Sequence, residues 1–165
     1  MRRMAAIVGA VVFLAGALHV PGSSTAAAAT LMNPACRAPM RLQRTGPRAT
    51  VRVMAVQQSG RVMVGTQHIR SAGLTDLAFV TEWDRLVGSH RQRFDFYGPH
   101  GHLYQTVSTR VVGDEHNDAT IETFLPVAGT WITSHGLYGA WCVHLFLDDR
   151  PDPVARVTFV LVPPR

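Results

Sequence analysis

Histidines are the side chains in this sequence best suited to chemistry. His68, His90, His100, His102, His116, His135 and His144 all lie downstream of an N-terminal apolar run. His100 and His102 stand two apart in a turn, and such a pair can chelate a metal where the backbone turns suitably. Asp114, His116 and Asp118 offer further ligand types in a later loop. One expected strand, residues 103–112, separates the two groups, and at ~3.3 Å per residue its ends are about 30 Å apart. These residues cannot form one centre unless other loops contribute. No metal is therefore expected, and His100 and His102 remain the weak candidates. Met32, Met40, Met54 and Met63 could serve copper beside histidine, but methionine is also ordinary core filler.

Nucleophilic chemistry has less support. Cys142 and His144 share one face of an expected strand, about 6.5 Å apart by rise alone. They read either as a Cys–His pair or as half of a disulfide beside a strand histidine, and the second is the expectation. The chain has no Gly-x-Ser-x-Gly elbow, no HExxH and no glycine-rich phosphate loop. The acidic pairs Asp148–Asp149 and Asp114–Glu115 fall in turn-like segments, where solvated carboxylates are common, so no acid–base role is assigned. The expectation is a non-enzyme without a cofactor. Trp83, Trp131, Trp141, Tyr97, Tyr104 and Tyr138 could form an aromatic platform for a glycan or a partner chain. Alternation assigns Trp141 to the core. Tyr97 and Tyr104 flank the turn at residues 99–101 and are candidate partner-binding side chains.

The elements that must position these groups are short and extended. From residue 49 the sequence shows period-2 alternation, the mark of half-buried strands. Val51, Val53 and Ala55 alternate with Thr50, Arg52 and Met54; Gln58, Ser59 and Gly60 make a turn; and residues 61–65 complete a hairpin. Residues 74–86 are ambiguous. Leu77, Val80 and Trp83 fit a helical face capped by Thr75, whereas Phe, Val, Thr and Trp at 78–83 favour a strand. A strand is expected. Residues 90–97, 103–112, 120–125, 138–147 and 155–162 read as further strands, with breaks at 98–101 (GPHG), 113–118 (GDEHND), 126–129 and 148–153 (DDRPDP). Seven or eight short strands without a long helix predict an all-β antiparallel sandwich or barrel.

Outside this region the sequence speaks of export. Arg2 and Arg3 precede an apolar run over residues 5–20, then Pro21, Gly22 and small residues through Ala29: the layout of a secretory signal peptide over residues 1–29. The run is shorter than the ~20 residues that span a bilayer, so no stable membrane span is expected after cleavage. Residues 30–48, punctuated by Pro34, Pro39, Gly46 and Pro47, read as an extended basic arm, and residues 49–165 as one domain. Every one of the 16 basic residues is arginine, against 11 acidic residues, and no acid precedes Asp76. Arg37, Arg41, Arg44 and Arg48 thus give the arm a positive charge that suits an acidic partner or simple solvation. Nucleic acid is not expected as a partner, since an exported chain without a binding motif gives no reason for it. Cys36 and Cys142, an even pair in an oxidising compartment, are candidates for a disulfide worth on the order of 4 kcal/mol by chain entropy.

Three segments resemble bacterial secreted immunoglobulin-like and fibronectin-III-like domains. They are residues 90–101 (HRQRFDFYGPHG), residues 125–131 (LPVAGTW), and the closing hairpin formed by residues 139–149 (GAWCVHLFLDD) with 157–161 (VTFVL). Gly139-x-Trp141-x-Val143 stands where such domains carry Gly-x-Tyr-x-Cys, so Cys142 is not their inter-sheet cysteine. The resemblance implies an immunoglobulin-like sandwich and leaves function open. The functional expectation is an exported, non-catalytic module, periplasmic or extracellular, that binds a protein or assembly at the cell envelope. The alternative is a carbohydrate-, copper- or zinc-binding protein of the same compartment.

Overall fold

The computed structural model describes residues 33–37, 39, 46–63, 68–114 and 119–165. The expected signal region, Met32, Met40, Arg41, Arg44, His116 and Asp118 lie outside the described residues. Among the described residues there are nine strands: β1 (Arg48–Gln57), β2 (Gly60–Met63), β3 (His68–Arg70), β4 (Leu74–Asp84), β5 (Gly88–Tyr97), β6 (Leu103–Gly113), β7 (Ala119–Pro126), β8 (Gly139–Leu147) and β9 (Ala155–Val162). They form two sheets, β2-β1-β4-β7 and β3-β9-β8-β5-β6. The pairings are antiparallel except β3 with β9, which is parallel. One short helix, α1 (Trp131–Ser134), starts at Thr130, whose hydroxyl accepts from the Ile132 amide.

Of the ambiguous residues 74–86, Leu74–Asp84 form β4, which lies between β1 and β7. Leu77, Ala78, Phe79 and Val80 are all buried in succession. A strand buried on both faces loses its alternation, and this hid its period from the sequence. Thr75, the expected helix cap, donates its hydroxyl to the Val56 carbonyl at 2.9 Å and so ties β4 to β1. β3 raises the strand count to nine, being three residues long and too short to show a period.

The core fills the space between the sheets. Phe79 of β4 meets Phe96 of β5 edge-on at 5.1 Å, and Trp141 of β8 stacks on Phe159 of β9 at 6.0 Å. Burying aromatic side chains of this size is worth about 1.5–3 kcal/mol each, and the tilted pairs add to that. One polar element sits inside. Gln92 is fully buried; its Oε1 accepts from the Trp83 indole at 2.9 Å and its Nε2 donates to Thr123 Oγ1 at 3.3 Å. The amide thereby joins β5 to β4 and β7 across the sandwich, satisfying polar groups that would be costly to bury alone.

Candidate functional site

Two surfaces carry the residues of interest: the outer face of the larger sheet, and that sheet's β6 edge. The first begins with Cys142. Trp141 and Val143 enter the core, so alternation along β8 sends Cys142 and His144 outward. Cys142 is nevertheless fully buried, because Cys36 covers it through a disulfide with a Cα–Cα separation of 5.8 Å. The segment around Cys36, expected to be extended, forms a 3-10 turn over Pro34–Cys36. Asn33 seats it. Its side-chain amide donates to the carbonyls of Gly98 at 2.6 Å and Ala140 at 2.9 Å, while its Oδ1 accepts from the Ala35 amide at 2.9 Å. Arg156 Nη1 reaches across from β9 to the Cys36 carbonyl at 3.1 Å. Pro34 packs on Gly101, which has φ +81° and where an added Cβ would lie 3.1 Å from the proline ring. Glycine is needed there both for conformation and for space.

His144 sits beside the bridge. Its ring lies 4.9 Å from Tyr97 and 6.2 Å from Phe146, centroid to centroid. In register, it faces Asp95 of β5 and Arg156 of β9. Burial holds its pKa below the ordinary histidine value, Arg156 pushes the same way, and the Ala35 backbone and Asp95 oppose them. The ring is therefore neutral at neutral pH. Asp95 is buried, accepts from Thr106 Oγ1 at 2.8 Å and lies 3.3 Å from Arg93 Nε. Arg93 in turn covers the Phe146 ring at 4.3 Å.

The other candidates are spread out. His100 and His102 are exposed on the 98–102 turn and line an apolar pocket of about 140 Å³ with Pro99, Leu103, Tyr104 and Leu137. Tyr104 meets Trp141 edge-on at 5.3 Å and is packed against the core. Tyr97 is half-buried against His144. Arg37 is exposed beside the bridge, and Arg48 is exposed at the start of β1. β6 runs between His102 and Asp114, so the His100 and His102 pair and Asp114 lie at opposite ends of it. Among the described residues, the histidine that approaches two other metal-ligand side chains is His144, whose ring nitrogen and the Cys36 and Cys142 sulfurs all lie within 4.8 Å of one another. The signal for this was the Cys142-x-His144 spacing; what the sequence could not supply was Cys36 arriving from residues outside the sheet.

At the far end of β5, Asp148 and His90 meet at 2.9 Å beside an open polar cleft of about 490 Å³. The Asp148 side chain, then the Val87 carbonyl, raise the His90 pKa. The Arg91 amide, then His90, lower that of Asp148. Asp149 pairs with the Arg91 guanidinium. Asp148 and Asp149 thus fix the β8–β9 connection to β5.

The second surface is backbone. Four strands lie at sheet edges: β2, β7, β3 and β6. β2 and β3 are four and three residues long. β7 bears Glu122, paired with Arg61, and ends at Pro126. β6 has 11 residues, no proline, and Arg110 as its single charge. Its register with β5 is uninterrupted from Gln105 to Gly113. Leu103 near one end is 55% exposed and Val112 near the other 64%. Among the described residues, no strand pairs with the outward side of β6.

No family model and no curated protein matches the chain. Among solved structures it is similar to an immunoglobulin-like protein from Pseudomonas aeruginosa, at 13% identity over 72% of this chain and 98% of that one, with a TM-score of 0.45. The all-β two-sheet sandwich expected from the strand pattern is the fold found among the described residues.

Proposed function

We propose that the protein is an exported, non-catalytic module that binds a protein partner at the cell envelope by adding a strand to β6. The observation that carries this reading is the unprotected length of that edge. An edge strand presents a row of unpaired N–H and C=O groups, and sandwiches ordinarily blunt such edges with short strands, proline, bulges or charges. β2 and β3 are short and β7 ends in proline, while β6 is the longest of the edges and, apart from an irregularity near Leu103, is regular from Gln105 to Gly113. An extended partner segment gains main-chain hydrogen bonds along such an edge, and apolar pockets at alternate positions supply specificity. Leu103 and Val112 offer apolar contact near its two ends. The disulfide accords with an oxidising compartment, and among the described residues no helix is long and apolar enough to cross a membrane. A photo-activated cross-linker placed at Ser108 on β6 is expected to capture one envelope protein, and the same group at Glu122 on β7 is not. Capture at Glu122 alone would remove the proposal.

A second reading, carbohydrate binding, is favoured by Trp131. It is 68% exposed and stacks on His135 at 4.5 Å, an arrangement that holds a flat aromatic face to solvent. Loss of binding to an envelope glycan in Trp131→Ala, with β6 variants unaffected, would select this reading.

A further inference from the structure

We propose that the reduced chain binds one soft monovalent cation, Cu(I), through Cys36 Sγ, Cys142 Sγ and the His144 imidazole. The three donor atoms already lie within 4.8 Å of one another, although they come from the N-terminal segment and from β8. Opening the bridge does not release Cys36. Asn33 still holds the segment through the Gly98 and Ala140 carbonyls, and Arg156 still holds the Cys36 carbonyl. His144 Nε2 is buried and has no hydrogen-bond partner among the described residues. A buried nitrogen left without a partner calls for an explanation, and a ligand supplies one.

The donor chemistry selects the ion. Thiolates are soft ligands and favour Cu(I), while zinc sites take four ligands. Cys142 is fully buried and Cys36 is 5% exposed, so the two sulfurs are shielded from solvent, and the described residues bring three donors together and not four. Two thiolates around Cu(I) leave one net negative charge, and the Arg156 guanidinium beside the Cys36 carbonyl offsets it.

Formation balances in two steps. A dithiol reductant supplies two electrons and two protons by thiol–disulfide exchange; the protein S–S bond opens to two thiols and the reductant closes to its own disulfide. Cu(I) then displaces the two thiol protons to solvent and accepts the His144 lone pair, with no change in its oxidation state. The oxidised chain has no thiolate to offer, so the bridge acts as the gate of the site.

The test uses the full chain, reduced without oxygen and titrated with Cu(I) against a chromophoric Cu(I) chelator. X-ray absorption then reports the ligand shell. One ion per chain is expected, held by two sulfurs and one nitrogen. His144→Gln is expected to weaken binding by about tenfold or more and to remove the nitrogen from the shell. The oxidised chain and the Cys36→Ala/Cys142→Ala variant should not compete with the chelator. The proposal is overturned if the reduced chain competes no better than that double variant, or if His144→Gln keeps both the affinity and the nitrogen. A reduced chain that has lost its sheet signal in circular dichroism also overturns it, since the N-terminal segment would then not stay docked.

Discussion

Replacing both cysteines by alanine removes the covalent cross-link between the N-terminal segment and β8, and the cost follows from the chain length it closes. Cys36 and Cys142 are 106 residues apart. A loop of that size, released in the unfolded ensemble, restores about 16 cal/mol/K of entropy, or about 4.7 kcal/mol at 25 °C. Spread over the unfolding entropy of a domain of roughly 130 residues, that is a fall in Tm of about 17 °C. The folded state loses little else, because Asn33 and Arg156 hold the segment independently of the bridge. Denaturant unfolding of the two proteins, without reductant, measures the difference directly. The variant should also show a larger m-value, since its unfolded chain is no longer cross-linked and exposes more surface. A loss below about 1 kcal/mol with an unchanged m-value would refute the loop-entropy argument and imply that the native state pays a compensating strain.

Two further perturbations act on the non-covalent frame. Gln92→Leu keeps the core volume but leaves the Trp83 indole N–H without its acceptor, so stability should drop by about 1–3 kcal/mol in urea unfolding; no change would mean that the buried amide is not what joins the sheets. The His90–Asp148 pair gives a pH signature. The raised His90 pKa contributes stability in full below about pH 6.5 and loses it as pH rises through the folded value, whereas the lowered Asp148 pKa contributes above about pH 3.9 and loses it as pH falls through its folded value. The stability gap between the native chain and Asp148→Asn should therefore be widest between about pH 4 and pH 6.5 and narrow on either side. Asparagine tolerates the φ of +54° at that position, so the backbone is not a confounding cause. A gap that is flat across that range would show the pair to be electrostatically idle.

The fold was legible wherever a strand has one face in the core and the other outside it. β5 is the clearest case: Phe94 and Phe96 enter the core while Arg91 and Arg93 stay outside, and the alternation shows in the sequence. β4 was legible from its residue types but not from its period, because both its faces are covered and its apolar residues run together as they do in a buried helix. β3 was too short to register. Periodicity along a strand also says nothing about which neighbour it will have, so the strand at 103–112 was foreseen while its place at a sheet edge was not. The bridge was foreseen from compartment chemistry. Its consequence for His144 was not, because Cys36 is seated on the outer face of β8 by the hydrogen bonds of Asn33 and Arg156, residues with no local pattern to mark them. Tyr97 and Tyr104 flank the 98–102 turn, and their rings pack on His144 and on Trp141.

The claim that most needs testing is that β6 is the binding edge. Amide hydrogen exchange of the oxidised chain, alone and with the partner captured at Ser108, reads this strand by strand. Added protection concentrated in residues 103–113, with β2 and β7 unchanged, is the predicted result. Protection confined to the sandwich ends or to the smaller sheet, with β6 exchanging as before, would contradict strand addition.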